Sequence, residues 1–550
     1  HMWFGDLVTM RWWNDLWLNE SFASFMAVLS QAEATKWNEA WTTFADTEKT
    51  WAYRQDQLPT THPIVADVPD VESIHLNFDG ITYAKGASVL RQLVAWVGQD
   101  GFLQGMKAYC ARHEFGNAEL SDFLEALEEA SGRDLHAWSK EWLETAGVNT
   151  LRAGFETEER EGDEVFTSFA LLQEASPEWP TLRSHRVAVG LFDLVEGELV
   201  RRRSVELDAV GARTEVPDVI GERVPDLVLV NDFDLTYTKI RLDSRSLATV
   251  VEFIGELQDS LARTLCWTAC WDMTRDAEML ARDYLRLVIG NIGKETKVGV
   301  VQSLLAQAFA AINVYGEPAN REAAMQRLAE ATLAGTRGAE PGGDHQLAWT
   351  RAFISAAHND EHLAIVRGLL QGENPFEGLV VDTEFRWHVV RSLAAAGAGD
   401  HELIAAEEKG DATDRGSRHA AAARAARPTA EAKDEAWRIV VEDRSQPLAM
   451  AEEIMAGFQQ YGQEELLEPF GERFFEALPK VWETKDLPDA LAFARRMYPL
   501  MVNTPETVDR TDRYLAADSV PAPIRRLLLE GKDGVQRALR ARAFDSAASS

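Results

Sequence analysis

The chain has 550 residues, a formal net charge of −33 and 46% hydrophobic residues, a size that predicts two to four domains with ample material for several packed cores. So negative a chain would be repelled by a phosphate backbone or an anionic bilayer surface, which argues against nucleic acid and membranes as partners. Three cysteines make no disulfide framework and predict a reducing, cytoplasmic location, and no run of 18 apolar residues predicts a transmembrane helix.

Residues 1–148 read as helix-rich. Trp3, Trp12, Trp13, Trp17, Trp37, Trp41 and Trp51 crowd this stretch and predict a rigid, deeply packed region. A helix is expected from about Asn14, acting as its N-cap, to Met26. A second covers Ala87–Trp96, with Val89, Leu90, Leu93 and Val94 at helical spacing. A third starts at Ser121-Asp122, ahead of Phe123, Leu124 and Leu127. Trp138 and Trp142, one turn apart, read as packing residues.

From 149 to 240 the hydrophobic period changes to two. Val165–Leu171, His185–Leu191, Glu198–Leu207, Leu227–Val230 and Thr236–Leu242 read as strands separated by turns rich in Gly, Asp, Glu and Pro, the pattern of a small β-sandwich. From 241 to 550 the signal is helical. Leu247, Val250, Val251, Ile254, Leu257, Leu261 and Leu265 form one helical stripe, on which Cys266 and Cys270 read as core residues. Further helical runs cover Leu304–Ile312, Leu363–Leu370, Ala436–Val441, Leu466–Leu478 and Ala490–Met497. Breaks are expected at Gly335–Gly343, Gly372–Pro375 and Gly397–Gly399. Helix pairs with short breaks predict a HEAT-like superhelix, and the Ala-Ser-rich tail Asp545–Ser550 is expected to fray. The fold class is multidomain, mainly α with a small β-sandwich.

The chemistry-bearing residues lie near the start. His1-Met2-Trp3-Phe4-Gly5-Asp6-Leu7-Val8-Thr9 is followed by Trp13-Asn14-Asp15-Leu16-Trp17-Leu18-Asn19-Glu20-Ser21-Phe22-Ala23, so that Glu20 stands nineteen positions after His1. A catalytic zinc takes three N or O protein ligands and an open position, and an imidazole and a carboxylate on neighbouring helices supply that donor chemistry. These strings resemble the aminopeptidase N family of gluzincin zinc metallopeptidases, bacterial type. His1 matches the second histidine of the family's His-Glu-x-x-His motif and Glu20 its third zinc ligand. Downstream, Tyr83-Ala84-Lys85-Gly86-Ala87-Ser88-Val89-Leu90 is similar to a second family string, whose tyrosine, here Tyr83, donates a hydrogen bond to the oxyanion of the tetrahedral intermediate. Arg183–Asp193, Val230–Ile240 and Trp271–Glu278 also look like segments of bacterial members.

The resemblance implies the C-terminal half of a thermolysin-like catalytic domain over 1–148, a β-sandwich over 149–240 and an α-helical superhelix over 241–550. It implies a Zn2+ cofactor, peptide substrates from which N-terminal residues are released, and a monomer. It also implies that the first zinc histidine, the general-base glutamate and the segment that grips the substrate amine precede His1, so the 550 residues alone are expected to be inactive. Asp15 is either a partner that orients a zinc-bound imidazole or a first-turn acid favoured by the helix dipole. Asn19 either supports Glu20 or makes a local bond, and His62-Pro63 carries no assigned chemistry. A non-catalytic peptide-binding scaffold and an epoxide-opening relative are the competing readings.

Overall fold

Aromatic and aliphatic residues at helical spacing build the first part of the chain. The computed structural model describes residues 1–66, 68 and 78–547 and divides into two units, His1–Met273 and Thr274–Ser550. Unit 1 opens with a tight turn and strand β1 (Val8–Met10), followed by α1 (Trp17–Ala34), α2 (Ala40–Thr43) and α3 (Lys49–Asp56). A π-helical turn over Ile81–Lys85 leads into α4 (Gly86–Val97), then α5 (Gln99–His113), β2 (Gly116–Ala118), α6 (Leu120–Ser131) and α7 (His136–Leu143). Strands β1 and β2 pair in parallel, Val8 opposite Gly116. Trp17, Leu18, Phe22 and Phe25 of α1 are buried. Phe22 stacks on Phe4 at 4.6 Å and meets Phe123 edge-on at 5.0 Å. Burying each such ring contributes on the order of 1.5–3 kcal/mol.

Several local expectations are corrected here. Helix α1 is not capped by Asn14: a 3-10 turn over Trp13–Asp15 comes first, and Leu16 stands at the N-cap without a side-chain bond. Helix α6 starts one residue before Ser121, because Glu119 and Asp122 form a reciprocal capping box. Trp17 is buried as expected, yet Trp3, Trp12, Trp37 and Trp51 are exposed. Trp37 is covered on one face by Lys36, whose Nζ lies 4.8 Å from the ring centroid. Trp138 and Trp142 are buried packing residues.

Two sheets follow. β3 (Thr150–Arg160), β4 (Asp163–Glu174), β7 (Arg213–Glu215) and β9 (Lys239–Arg241) form one, in the order β7-β4-β3-β9. β5 (His185–Val195), β6 (Glu198–Ala209) and β8 (Leu227–Val230) form the other, in the order β6-β5-β8. The β3–β4 and β5–β6 hairpins turn through Glu161-Gly162 and Glu196-Gly197, all four with positive φ, the backbone that a two-residue hairpin requires. Strand β3 was not read from the sequence: its outer half, Glu156-Thr157-Glu158-Glu159-Arg160, is polar on both faces and has little apolar alternation. Of Thr236–Leu242 only Lys239–Arg241 pairs, since Asn231, Phe233 and Asp234 just upstream adopt positive φ. Buried polar groups bind the strands to the helices. The Arg183 guanidinium donates to the carbonyls of Glu141, Thr145 and Ala146 and to Asn149 Oδ1, which satisfies a cation that burial would otherwise make costly. Helix α8 (Ser244–Phe253) and α9 (Ser260–Arg275) divide what reads as one stripe: Leu257 is extended, and Asp259 Oδ1 accepts from the amides of Leu261 and Ala262.

Unit 2 is helical, from Ala281–Asn291 to Ala522–Ala547. Asn359, Asp382, Asp400, Thr413, Thr429 and Thr504 each accept from a first-turn amide of the helix they precede. The break expected from Gly335 is shorter, because the helix Arg321–Gly338 runs through it. A Cβ at Gly335 would come within 2.5 Å of the Trp349 ring, so this glycine allows close packing instead of ending the helix. Contrary to the expectation for the chain's apolar runs, the helical stretch Val298–Tyr315 (mean hydropathy 1.4) is long and apolar enough to cross a membrane by length and composition. Within unit 2 its Val300, Val301, Leu304, Leu305, Ala308, Ala311 and Ile312 are buried. The tail is also corrected: Asp545 lies in the last helix and is buried, accepting from Arg282 and from Glu317 N at 3.0 Å. Residues 548–550 lie outside the described residues.

Candidate metal centre

His1 sits on the turn before β1, which is closed by Asp6 N donating to His1 O at 3.0 Å and Gly5 N to Val8 O at 2.9 Å. Gly5 has φ +133°, and a Cβ there would lie 3.1 Å from His1 O and 3.4 Å from His1 Cβ; a side chain would strain the backbone and crowd the imidazole. The Phe4–Phe22 stack fastens this turn to α1, which carries Glu20 in its first turn. The result is a pair of side chains in contact: His1 Nε2 lies 3.3 Å from Glu20 Oε2, with the imidazole half exposed and the carboxylate largely buried. His1 Nδ1 faces Phe4 O at 3.3 Å. A carbonyl oxygen can only accept, so Nδ1 is the donor and Nε2 is the nitrogen presented to Glu20.

Tyr83 comes from the π-helical turn ahead of α4, with its phenol near enough to Glu20 for the carboxylate to act on it. Burial, and then the Glu20 carboxylate, push its pKa up, so the phenol keeps its proton. The three residues singled out from the sequence, His1, Glu20 and Tyr83, therefore meet around one carboxylate. The elements that carry them are bolted together next to the site. Ser21 Oγ donates to Thr82 O at 2.6 Å, and a Cβ on Gly86 would come within 2.0 Å of Ser21 Oγ. Behind Tyr83 the buried Lys85 pairs with Asp56 at 2.9 Å and donates to Gly147 O at 3.1 Å. Burial pushes the Lys85 amine down to about 8, against the opposing pull of Asp56.

Asp15 does not reach the imidazole. Its Oδ2 accepts from Leu120 N at 3.2 Å, and its pKa is raised by burial; it ties the 3-10 turn to the start of α6. Asn19 makes a local bond, donating to Met10 Sδ at 2.8 Å. Among the described residues, Glu128, Asp134 and His136 bring possible ligand atoms within 4.8 Å of one another. Their carboxylates are engaged in the α6–α7 turn, Glu128 with Leu135 N at 2.7 Å and Asp134 with His136 N at 2.9 Å. The sequence reading holds Ser21, Lys85 and Gly86 only as members of the two strings and assigns them no role, and it misses Asp56. The Lys85-Gly86 pair following Tyr83 was the available signal.

An imidazole nitrogen and a carboxylate oxygen 3.3 Å apart have the donor chemistry of a zinc site, which takes three protein ligands of this kind. The peptidase family M1 domain matches residues 1–142, and the ERAP1-like C-terminal domain matches residues 227–537. Aminopeptidase N of Streptomyces lividans is 54% identical over 557 residues, covering 100% of this chain and 65% of the relative. Tricorn protease-interacting factor F2 of Thermoplasma volcanium is 45% identical over 152 residues, 28% of this chain and 19% of the relative. Leucyl aminopeptidase of Saccharolobus solfataricus is 40% identical over 154 residues, 28% of this chain and 19% of the relative. The chain thus spans about two thirds or less of the length of each of these proteins.

Proposed function

The chain belongs to the aminopeptidase N family of M1 peptidases, and from that premise we propose that the protein is a zinc-dependent aminopeptidase releasing N-terminal residues from peptides. The observation that carries the reading is the convergence of His1, Glu20 and Tyr83. His1 Nε2 and Glu20 would hold the zinc, which when bound supplies Lewis acidity toward a carbonyl oxygen and lowers the pKa of water. The Phe4 carbonyl at His1 Nδ1 fixes the ring orientation. Tyr83, kept protonated beside Glu20, donates a hydrogen bond to the oxyanion that develops on the first peptide carbonyl.

We read residues 1–148 as the C-terminal part of a thermolysin-like peptidase domain, 149–240 as a β-sandwich and 241–550 as a helical superhelix. The switch from α7, ending at Leu143, to β3, starting at Thr150, supports the first boundary. The compact unit that holds most of the last part begins at Thr274. The reading extends to a monomeric cytoplasmic enzyme that acts on peptides and not on nucleic acid or membranes. The net charge of −33 and the unbridged Cys110, Cys266 and Cys270 support it.

The test is the zinc content of the full-length protein together with its hydrolysis of an aminoacyl anilide. Stoichiometric zinc with turnover is expected, and Glu20→Ala should abolish both. Stoichiometric zinc without hydrolysis, or a Glu20→Ala protein that keeps its zinc and its activity, sinks the reading.

A further inference from the structure

The π-helical turn that carries Tyr83 has an anchor outside the metal pair. Asp79 precedes the turn, is buried, and holds it by three bonds: Oδ1 accepts from Ile81 N at 2.9 Å and from Thr82 N at 3.2 Å, and the Asp79 carbonyl accepts from Tyr83 N at 3.1 Å. Its other carboxylate oxygen, Oδ2, is gripped from two sides, by His62 Nε2 at 2.8 Å and by Gln55 Nε2 at 3.2 Å. Gln55 also closes on the turn itself, its Oε1 accepting from Gly80 N at 2.5 Å. The His62 ring is held at its far side as well, with Nδ1 against Pro63 O at 2.7 Å. A largely buried imidazole fixed at both nitrogens thus orients the carboxylate that orients the backbone of Ile81, Thr82 and Tyr83.

We propose that His62, with Gln55, is a positioning residue for Tyr83, acting through Asp79 to hold the π-helical turn in the register that aims the phenol at Glu20. This rests on the role given to Tyr83 above. A π-turn is a poorly self-supporting piece of backbone, found chiefly where a side chain must be placed for function, and its two first amides need acceptors that the turn does not provide. Asp79 provides them, and His62 prevents the Asp79 carboxylate from rotating away. A shift of about 1 Å in a reacting group costs on the order of 10²-fold in rate, so a clamp remote from the metal is expected to be felt in turnover.

The experiment is a double-mutant cycle in the full-length protein, with zinc content, kcat and KM as readouts. His62→Ala is expected to lower kcat by about 10–100-fold, with zinc content kept and KM changed by less than about threefold. In a Tyr83→Phe background the same substitution is expected to cost less than about threefold further, because the group it positions is gone. An equal fall in both backgrounds, or none in either, overturns the clamp. Amide hydrogen exchange over residues 79–86 gives a readout independent of the chemistry. His62→Ala is expected to speed it by about tenfold or more and to leave α6 unchanged; unchanged exchange overturns the clamp whatever the kinetics. If His62→Ala does not fold, Gln55→Ala, which removes the second grip on Asp79, enters the same cycle with the same outcomes. A Tyr83→Phe protein of undiminished kcat sinks the role of Tyr83 alone, and the exchange result then decides the clamp.

Discussion

Glu20 shares one carboxylate between two neighbours, the imidazole of His1 at 3.3 Å and the phenol of Tyr83. Tyr83 is not one of the two residues proposed to hold the metal, so its contribution separates from metal retention. Tyr83→Phe removes a single donor and no packing volume beyond one oxygen. In the full-length protein we expect kcat to fall by about 10²–10³, the range for loss of one oxyanion donor, while zinc per chain stays constant by metal analysis. A fall within a few-fold would leave the phenol as a packing group. The meeting of these three side chains was legible because the strings that hold them resemble those of a known family. The His1–Ala23 and Tyr83–Leu90 strings carry that resemblance residue by residue. His62, Asp79 and Gln55 were not read as a set. Their bonds run across separations of 17 and 24 residues, and nothing in either string marks the partner.

Elements were legible where an apolar face repeats and illegible where backbone geometry or a polar partner decides. The helix read over Ala87–Trp96 spans Gly86–Val97, and the strand at Leu227–Val230 is found at those residues. The π-helical turn at Ile81–Lys85 and the αL-type backbone at Asn231–Asp234 left no trace in the hydrophobic pattern. Another hidden device is Lys433 on the helix Ala430–Glu442. It is buried and donates to Ala425 O at 2.8 Å and Phe458 O at 2.9 Å, so it satisfies carbonyls at the ends of two other helices. Burial pushes its amine from about 10.5 down to about 7. At pH values between these two the unfolded chain holds the proton and the folded chain does not. Stability therefore rises with pH from about 7 toward about 10.5, by at most ~1.4 kcal/mol per pH unit. Lys433→Met removes this dependence. We expect the melting temperature of the unaltered chain, measured relative to Lys433→Met, to increase from pH 7 to pH 9. A difference that is flat or falls over that interval would show that the amine stays charged when folded.

At the scale of a whole unit, the sequence suggests a helical array with loose ends, whereas the second unit is closed. An array in which each repeat touches only its neighbours leaves its terminal helices free to fray. Here the last helix, Ala522–Ala547, returns to the first residues of the unit. Arg537 pairs with Asp276, Arg542 donates to Val314 O at 2.8 Å and Asn313 O at 2.9 Å, and Asp545 receives Arg282 and the Glu317 amide. Composition could not show this, because an Ala-Ser-rich tail looks alike whether it is free or docked; the burial of one aspartate makes the difference. Three core clusters, around Phe353, Trp387 and Trp437, lie wholly within residues 333–535, so the stretch 274–547 is expected to fold by itself. In that stretch Asp545→Ala removes the carboxylate that accepts from the partly buried Glu317 amide and pairs with Arg282 Nε, while the Asp545 backbone carbonyl still accepts from Arg282. The expected loss is about 1–3 kcal/mol by urea denaturation, with unfolding still in a single transition because both ends belong to one ring of contacts. A loss below about 0.5 kcal/mol, the usual scale for a solvated surface change, would mean that the tail is free in solution and the ring open.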